Sequence, residues 1–217
     1  MSFDVELATA EVARRDPVMA AHIARAGPCQ LRPALDGHFA ALCRSICYQQ
    51  LAGPAAAAIH ARFQAALGGD VKPERLLAVP ETALRGAGLS RSKVASMRDL
   101  AIKVTDGVVP LGNIESLGDD EIVQRLSVVR GIGRWTAEMF LIFQLRRPDV
   151  WPVDDYGVRS GYGLIYGLPA PPVPKELAVE GERFRPFRTV AAWYCWEAVH
   201  MARRGPLDRT GLPESGG

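Results

Sequence analysis

The chain is predicted to be all-α. Apolar residues recur at intervals of three and four in segment after segment, capping residues and glycine stops bracket those segments, and no convincing run of alternating strand residues occurs. Phe39, Leu42, Cys43, Ile46 and Cys47 make one apolar helix face. A second helix is expected from Pro54, which suits a first turn, through Leu67, with Gly68-Gly69 ending it. SRSKVASMRDLAIKVTDG reads as a helix capped by Ser90 and closed by Gly107. SLGDDEIVQRLSVV is shorter and puts Asp119, Asp120 and Glu121 near its positive N-terminal end. WTAEMFLIFQLRR is expected to stay helical to Arg146 and Arg147, and FRTVAAWYCWEAVHMARR forms a long aromatic helix stopped by Gly205-Pro206. Leu168 to Pro174, LPAPPVP, is a proline-rich loop, and residues 205–217 form a flexible tail.

With 217 residues, 48% of them hydrophobic, the chain has enough apolar surface for one substantial core or two closely packed lobes. Apolar stretches such as Met139 to Phe143 fall well short of a bilayer's thickness. The opening MSFDVELATAEVARRD has acids where a secretory signal needs a basic start and an apolar run, so neither a membrane nor a secretory role is expected. A net charge of +2 neither demands nor excludes nucleic acid, because binding depends on where the charge lies. The basic side is nearly all arginine, with lysine at Lys72, Lys93, Lys103 and Lys175. Cys29, Cys43, Cys47 and Cys195 include no C-x-x-C pair and match no zinc or iron–sulfur spacing, so buried free thiols and no iron–sulfur cluster are expected. His22, His38, His60 and His200 show no metal spacing either.

The most informative segment is VVRGIGRWTAEMF, Val128 to Phe140. Gly131-Ile132-Gly133 joins two helices through a turn tight enough for the backbone to approach another molecule closely. The following helix offers unpaired N–H groups and a positive dipole end, which suit a phosphate. By itself the motif is equally a compact structural turn. Further on, DVWPVDDYGVRSGYG sets Asp154 and Asp155 after a Pro-Val break. Both acids suit the start of a helix, and one of them is open to cap it while the other points elsewhere.

Taken together, LSVVRGIGRWTAEMF, PVDDYGVRSG, SICYQQLAGPAAAAI and GAGLSRSKVASMRDLA resemble the helix-hairpin-helix DNA glycosylases, over about residues 37 to 204. Within that superfamily the chain looks most like the 3-methyladenine DNA glycosylase II branch, in a short form without the N-terminal β domain. The resemblance implies a single glycosylase domain over residues 1–217, built as two helical lobes with a DNA-binding cleft. One lobe would span about 37–147, the other about 1–36 plus 148–204.

The same resemblance assigns roles. Asp155, directly before the aromatic-Gly-Val-Arg run, takes the place of the catalytic aspartate. Gly131, Ile132, Gly133 and Arg134 would grip a phosphate beside the lesion, and the carbonyls of Ser127, Val129 and Gly131 would hold a monovalent cation. Leu51, after Gln50, matches an apolar wedge that enters the duplex where the flipped base leaves, although a core leucine reads equally from the residue alone. Trp196 matches a base-stacking tryptophan, with Trp135 and Tyr156 as further walls of a base pocket. Gly88-Leu89-Ser90 precedes a helix start, where Ser90, Arg91 and Lys93 either meet phosphates or form a solvated face.

A base excised in a pocket must first leave the stack. Alkylation at a purine ring nitrogen makes the base cationic and a good leaving group, so aromatic faces and one carboxylate suffice as machinery. Strand-cutting relatives carry a Schiff-base lysine where this chain has Trp135, and no lysine lies between Lys103 and Lys175. The expected protein is therefore a monofunctional, monomeric glycosylase acting on damaged double-stranded DNA, in the bacterial cytoplasm (nucleoid) or a eukaryotic nucleus. It would release 3-methyladenine and 7-methylguanine and need no cofactor beyond the hairpin cation. A glycosylase for ethenoadenine, hypoxanthine or uracil, or a DNA-binding module without catalysis, are the alternatives.

Overall fold

The computed structural model describes residues 3–34, 36–51 and 53–204. Among these residues every regular element is helical. The expected Gly205-Pro206 stop and the tail 205–217 lie outside the described residues. No helix among them is long and apolar enough to cross a membrane. The chain divides into two units, Met1–Arg32 with Arg146–Gly217, and Pro33–Leu145.

The first unit contains α1 (Val5–Arg15) and α2 (Pro17–Ala26), later joined by α10 (Tyr156–Ile165), α11 (Pro174–Gly181) and α12 (Arg188–Arg204). Aspartates start both N-terminal helices. Asp4 accepts from the amides of Glu6 and Leu7, and Asp16 from the amide of Met19 at 2.8 Å, with Pro17 at the first helical position. Met19, Val158, Phe184, Tyr194 and Cys195 meet in the core of this unit, and each large apolar side chain there contributes roughly 1.5–3 kcal/mol by leaving water. Helices α10 and α12 touch at Gly161, where a β-carbon would fall inside the carbonyl of Cys195. Asp149 ties the start of α12 to the segment before α10, taking Arg188 Nε on Oδ1 at 2.7 Å and Arg188 Nη2 on Oδ2 at 3.0 Å.

The second unit runs α3 (His38–Tyr48), α4 (Gly53–Ala66), α5 (Pro73–Ala78), α6 (Glu81–Gly86), α7 (Arg91–Thr105), α8 (Asp119–Ser127) and α9 (Arg134–Met139). The apolar face expected for α3 is buried residue for residue, at Phe39, Leu42, Cys43, Ile46 and Cys47. Ser90 caps α7 as expected, its Oγ accepting from Lys93 N at 3.2 Å. One element departs from its sequence reading. After Met139 the helix widens into a π-turn, Phe140–Gln144, in which Leu145 N bonds Phe140 O at 3.0 Å, so regular helix does not reach Arg146. Arg146 instead takes a left-handed φ of 53°. Within the widened turn Phe140, Leu141 and Ile142 are all buried, and Gln144 Nε2 donates to the Asp36 carbonyl at 2.8 Å, a bond that fixes the end of the turn.

Candidate active site

Asp155 is the N-cap of α10. The Pro152 turn delivers it there, with Asp155 N bonding Pro152 O at 3.0 Å. Its Oδ1 accepts from Val158 N at 2.8 Å and from the indole Nε1–H of Trp196 at 2.9 Å. Two N–H donors and the positive end of a helix therefore surround a carboxylate that is only 8% exposed. Its neighbour Asp154 is exposed. One residue thus holds both roles that the sequence left divisible between the pair, capping the helix and presenting a buried carboxylate. In the same core, burial and the Asp155 charge push the Cys195 thiol up.

Trp196 is half-buried on α12, its ring oriented by that bond. Gly157 makes the approach sterically possible. A β-carbon there would lie 2.8 Å from Trp196 Cδ1 and 3.0 Å from Asp155 Oδ1. Tyr156, the first residue of α10, is 69% exposed. Asp155, Tyr156 and Trp196 therefore belong to one place in the first unit, and Gly157 joins them as a residue the sequence reading passed over.

Trp135 belongs to the second unit, on the first turn of α9, and is 46% exposed. The hairpin before it is built from α8, a turn and α9. Val129 N bonds Leu126 O and Ile132 N bonds Val129 O, both at 3.1 Å, and Gly131 takes φ 76°. That conformation favours glycine, and a β-carbon at Gly131 would also lie 2.6 Å from Ser96 Oγ. Gly133, the N-cap of α9, is different: its φ is −97° and a β-carbon there meets no heavy atom within 4 Å. Ile132, expected among the DNA contacts, is 3% exposed, so its side chain anchors the turn and only its backbone is left to meet another molecule. Asp99 Oδ2 holds the turn from below by accepting from Arg130 N at 2.7 Å. Arg134 is paired through Nε with Glu138 Oε1 at 2.9 Å, although its side chain stays 61% exposed.

Lys93 requires a correction. Expected to reach phosphates, its Nζ turns inward and donates to Cys47 O at 2.8 Å and Gln49 O at 2.9 Å. The carbonyls at the end of α3 attract an ammonium, and burial lowers the Lys93 pKa. Ser90 and Arg91 beside it are exposed. Gln50 is exposed with φ 57°, and Leu51 is 39% exposed, so Leu51 is not a core leucine. Gln49, which the sequence did not single out, donates from Nε2 to Gly131 O at 2.9 Å.

The donor set at Ser127, Val129 and Gly131 consists of neutral backbone carbonyls, hard oxygens that suit a monovalent cation in kind. Gly131 O already accepts from Gln49 and Val129 O from Ile132 N, which leaves a second lone pair on each. Among the described residues no three His, Cys, Asp or Glu side chains gather as a metal-binding group.

An all-helical chain with a glycine hairpin between two helices, and a buried aspartate capping a later one, defines a helix-hairpin-helix protein. This chain belongs to the HhH-GPD family, HhH-GPD superfamily base excision DNA repair proteins, which it matches over residues 43–186. It is 38% identical over 164 residues to DNA-3-methyladenine glycosylase 1 of Schizosaccharomyces pombe, covering 74% of this chain and 72% of that protein. Among solved structures it is similar to the Schizosaccharomyces pombe 3-methyladenine DNA glycosylase Mag1 in complex with abasic DNA. That match has a TM-score of 0.80 and 32% identity, covering 90% of this chain and 97% of the other. It is also similar to a DNA-3-methyladenine glycosidase from Bacillus halodurans, with a TM-score of 0.83 and 34% identity, covering 91% of each chain.

Proposed function

We propose that this chain is a monofunctional DNA glycosylase that hydrolyses the N-glycosidic bond of alkylated purines in double-stranded DNA, releasing 3-methyladenine and 7-methylguanine. The observation that carries this reading is the Asp155 carboxylate, buried yet held in place by Val158 N and Trp196 Nε1. The names of the relatives support the lesion class.

Alkylation at N3 or N7 leaves the purine cationic, so the C1′–N bond breaks with its electron pair going to the base and little help from an acid. Positive charge then develops on the sugar. Asp155 stabilises that charge and orients a water, whose oxygen bonds C1′ and whose proton is released. The faces of Trp196 and Tyr156 attract the cationic base, and Trp135 offers a further exposed ring on the second unit. Gly131, Gly133 and Arg134 meet a phosphate through backbone and charge, Ser90 a second one, and Gln50 and Leu51 enter the stack vacated by the flipped base. A monovalent cation on the carbonyls of Ser127, Val129 and Gly131 would add positive charge beside that phosphate. With tryptophan at 135 there is no amine for a Schiff base, so the strand stays intact. The chain acts as a monomer, in the cytoplasm of a bacterium or the nucleus of a eukaryote.

The test is base release from methylated duplex DNA, with wild type and Asp155→Asn side by side. Release of 3-methyladenine or 7-methylguanine by wild type alone is expected. Failure of wild type to release either base overturns the lesion class and directs the assay to ethenoadenine, hypoxanthine and uracil. Equal release by Asp155→Asn would remove the carboxylate from the reaction.

A further inference from the structure

Two side chains converge on the short turn between α3 and α4. Lys93, from the first turn of α7, donates to the carbonyls of Cys47 and Gln49. Gln49 sends its own amide to Gly131 O in the hairpin, 82 positions along the chain. The turn they hold is a costly one. Gln50, a residue with a β-carbon, sits at φ 57°, a conformation that persists only where its surroundings enforce it. Directly after this strained residue comes Leu51, an apolar side chain kept 39% exposed. Lys93, part-buried, spends its ammonium on two carbonyls of this turn, and Gln49 spends its side-chain amide on a backbone oxygen of the hairpin.

We infer that Gln49 and Lys93 are positioning residues: they lock the 47–51 turn to the hairpin so that Leu51 is presented in a preset geometry, and phosphate grip and wedge engage the duplex as one body. This rests on the reading of Leu51 as a wedge and of the hairpin as a phosphate grip. Neither side chain need touch DNA. Without them Gln50 relaxes out of its left-handed conformation, Leu51 samples many directions, and the unstacking step loses its preorganisation.

The experiment is single-turnover excision of 7-methylguanine from two duplexes, one with the lesion fully paired and one with it facing an abasic gap, where it is already unpaired. Gln49→Met and Lys93→Met keep side-chain volume and remove the donors, so either variant suffices if the other fails to fold by thermal melting. Each is expected to slow excision from the paired duplex on the order of tenfold, the upper scale of one lost intramolecular hydrogen bond. On the gapped duplex the loss should shrink to about twofold. Combined with Leu51→Ala, neither should slow the paired reaction beyond Leu51→Ala alone, because all act through one side chain. Additive losses, equal losses on both duplexes, or wild-type rates in both methionine variants beside a slow Leu51→Ala would overturn the proposal and leave the wedge standing. A wild-type rate for Leu51→Ala would overturn the wedge reading itself, and the proposal with it.

Discussion

The indole N–H of Trp196 donates to Oδ1 of Asp155 at 2.9 Å, joining α12 to the first residue of the α10 cap across 41 positions of chain. The aromatic ring and the carboxylate are therefore one constellation: moving either displaces the other. Trp196→Phe keeps a ring and deletes the donor, and is expected to slow base release by roughly tenfold to a hundredfold. Affinity for an uncleavable abasic-site duplex should change by no more than about threefold, since the loss falls on chemistry. Gly157→Ala should act in the same direction by pushing the ring away. Single-turnover rates set beside binding isotherms check both.

Asp155 carries a structural load separable from its chemical one. Asparagine retains an oxygen for Val158 N, so Asp155→Asn should melt within a few degrees of wild type while losing at least about a hundredfold in excision. Alanine removes the cap as well, and Asp155→Ala should lose a further 1 kcal/mol or so of stability. Equal melting temperatures for the two variants would show that the cap contributes nothing.

The two hairpin glycines should respond differently to a methyl group. Gly131→Ala places a β-carbon at φ 76° and 2.6 Å from Ser96 Oγ, and is expected to destabilise the protein by about 1–3 kcal/mol. Gly133→Ala meets nothing and has an ordinary φ, so its melting temperature should hold. Weakened DNA binding by Gly133→Ala would then report the approach of a phosphate and not a damaged fold. Calorimetry with salt-dependent binding distinguishes the two effects.

Acid should loosen the first unit through Asp16. Burial works against its ionisation, but the Met19 amide, the Tyr166 hydroxyl and the Arg183 guanidinium together outweigh that and hold the carboxyl below its usual value. A carboxyl lowered on folding contributes stability that is complete above about pH 4 and is lost as pH falls through the folded value. Asp16→Asn is expected to lose about 1–2 kcal/mol at pH 7, discounted because Arg183 is half exposed, and the gap to wild type should close below about pH 4. Denaturant unfolding at stepped pH measures it.

Helix faces, caps and the hairpin were legible from residue order because each is decided within a turn or two. The α3 face repeats every three or four residues, Ser90 caps an amide three positions on, and Gly131 announces a backbone that only glycine adopts comfortably. Resemblance further singled out Asp155 from Asp154, and the structure supplies the physical difference, one carboxylate buried and bonded, the other exposed. Side-chain destinations were not legible. Lys93 looks like any exposed helix-start cation until the end of α3, 46 positions away, brings two carbonyls to it. The Gln49 amide, the Trp196 indole and the space vacated at Gly157 are meaningful only once distant segments have packed. The regular helix after Trp135 likewise widens at Phe140, where Phe140, Leu141 and Ile142 are all buried, a change that the spacing of apolar residues does not announce. Local backbone chemistry depends on near neighbours and is written in their order; the partner a long polar side chain finds depends on which chain segments share a core, and only the packed structure settles that.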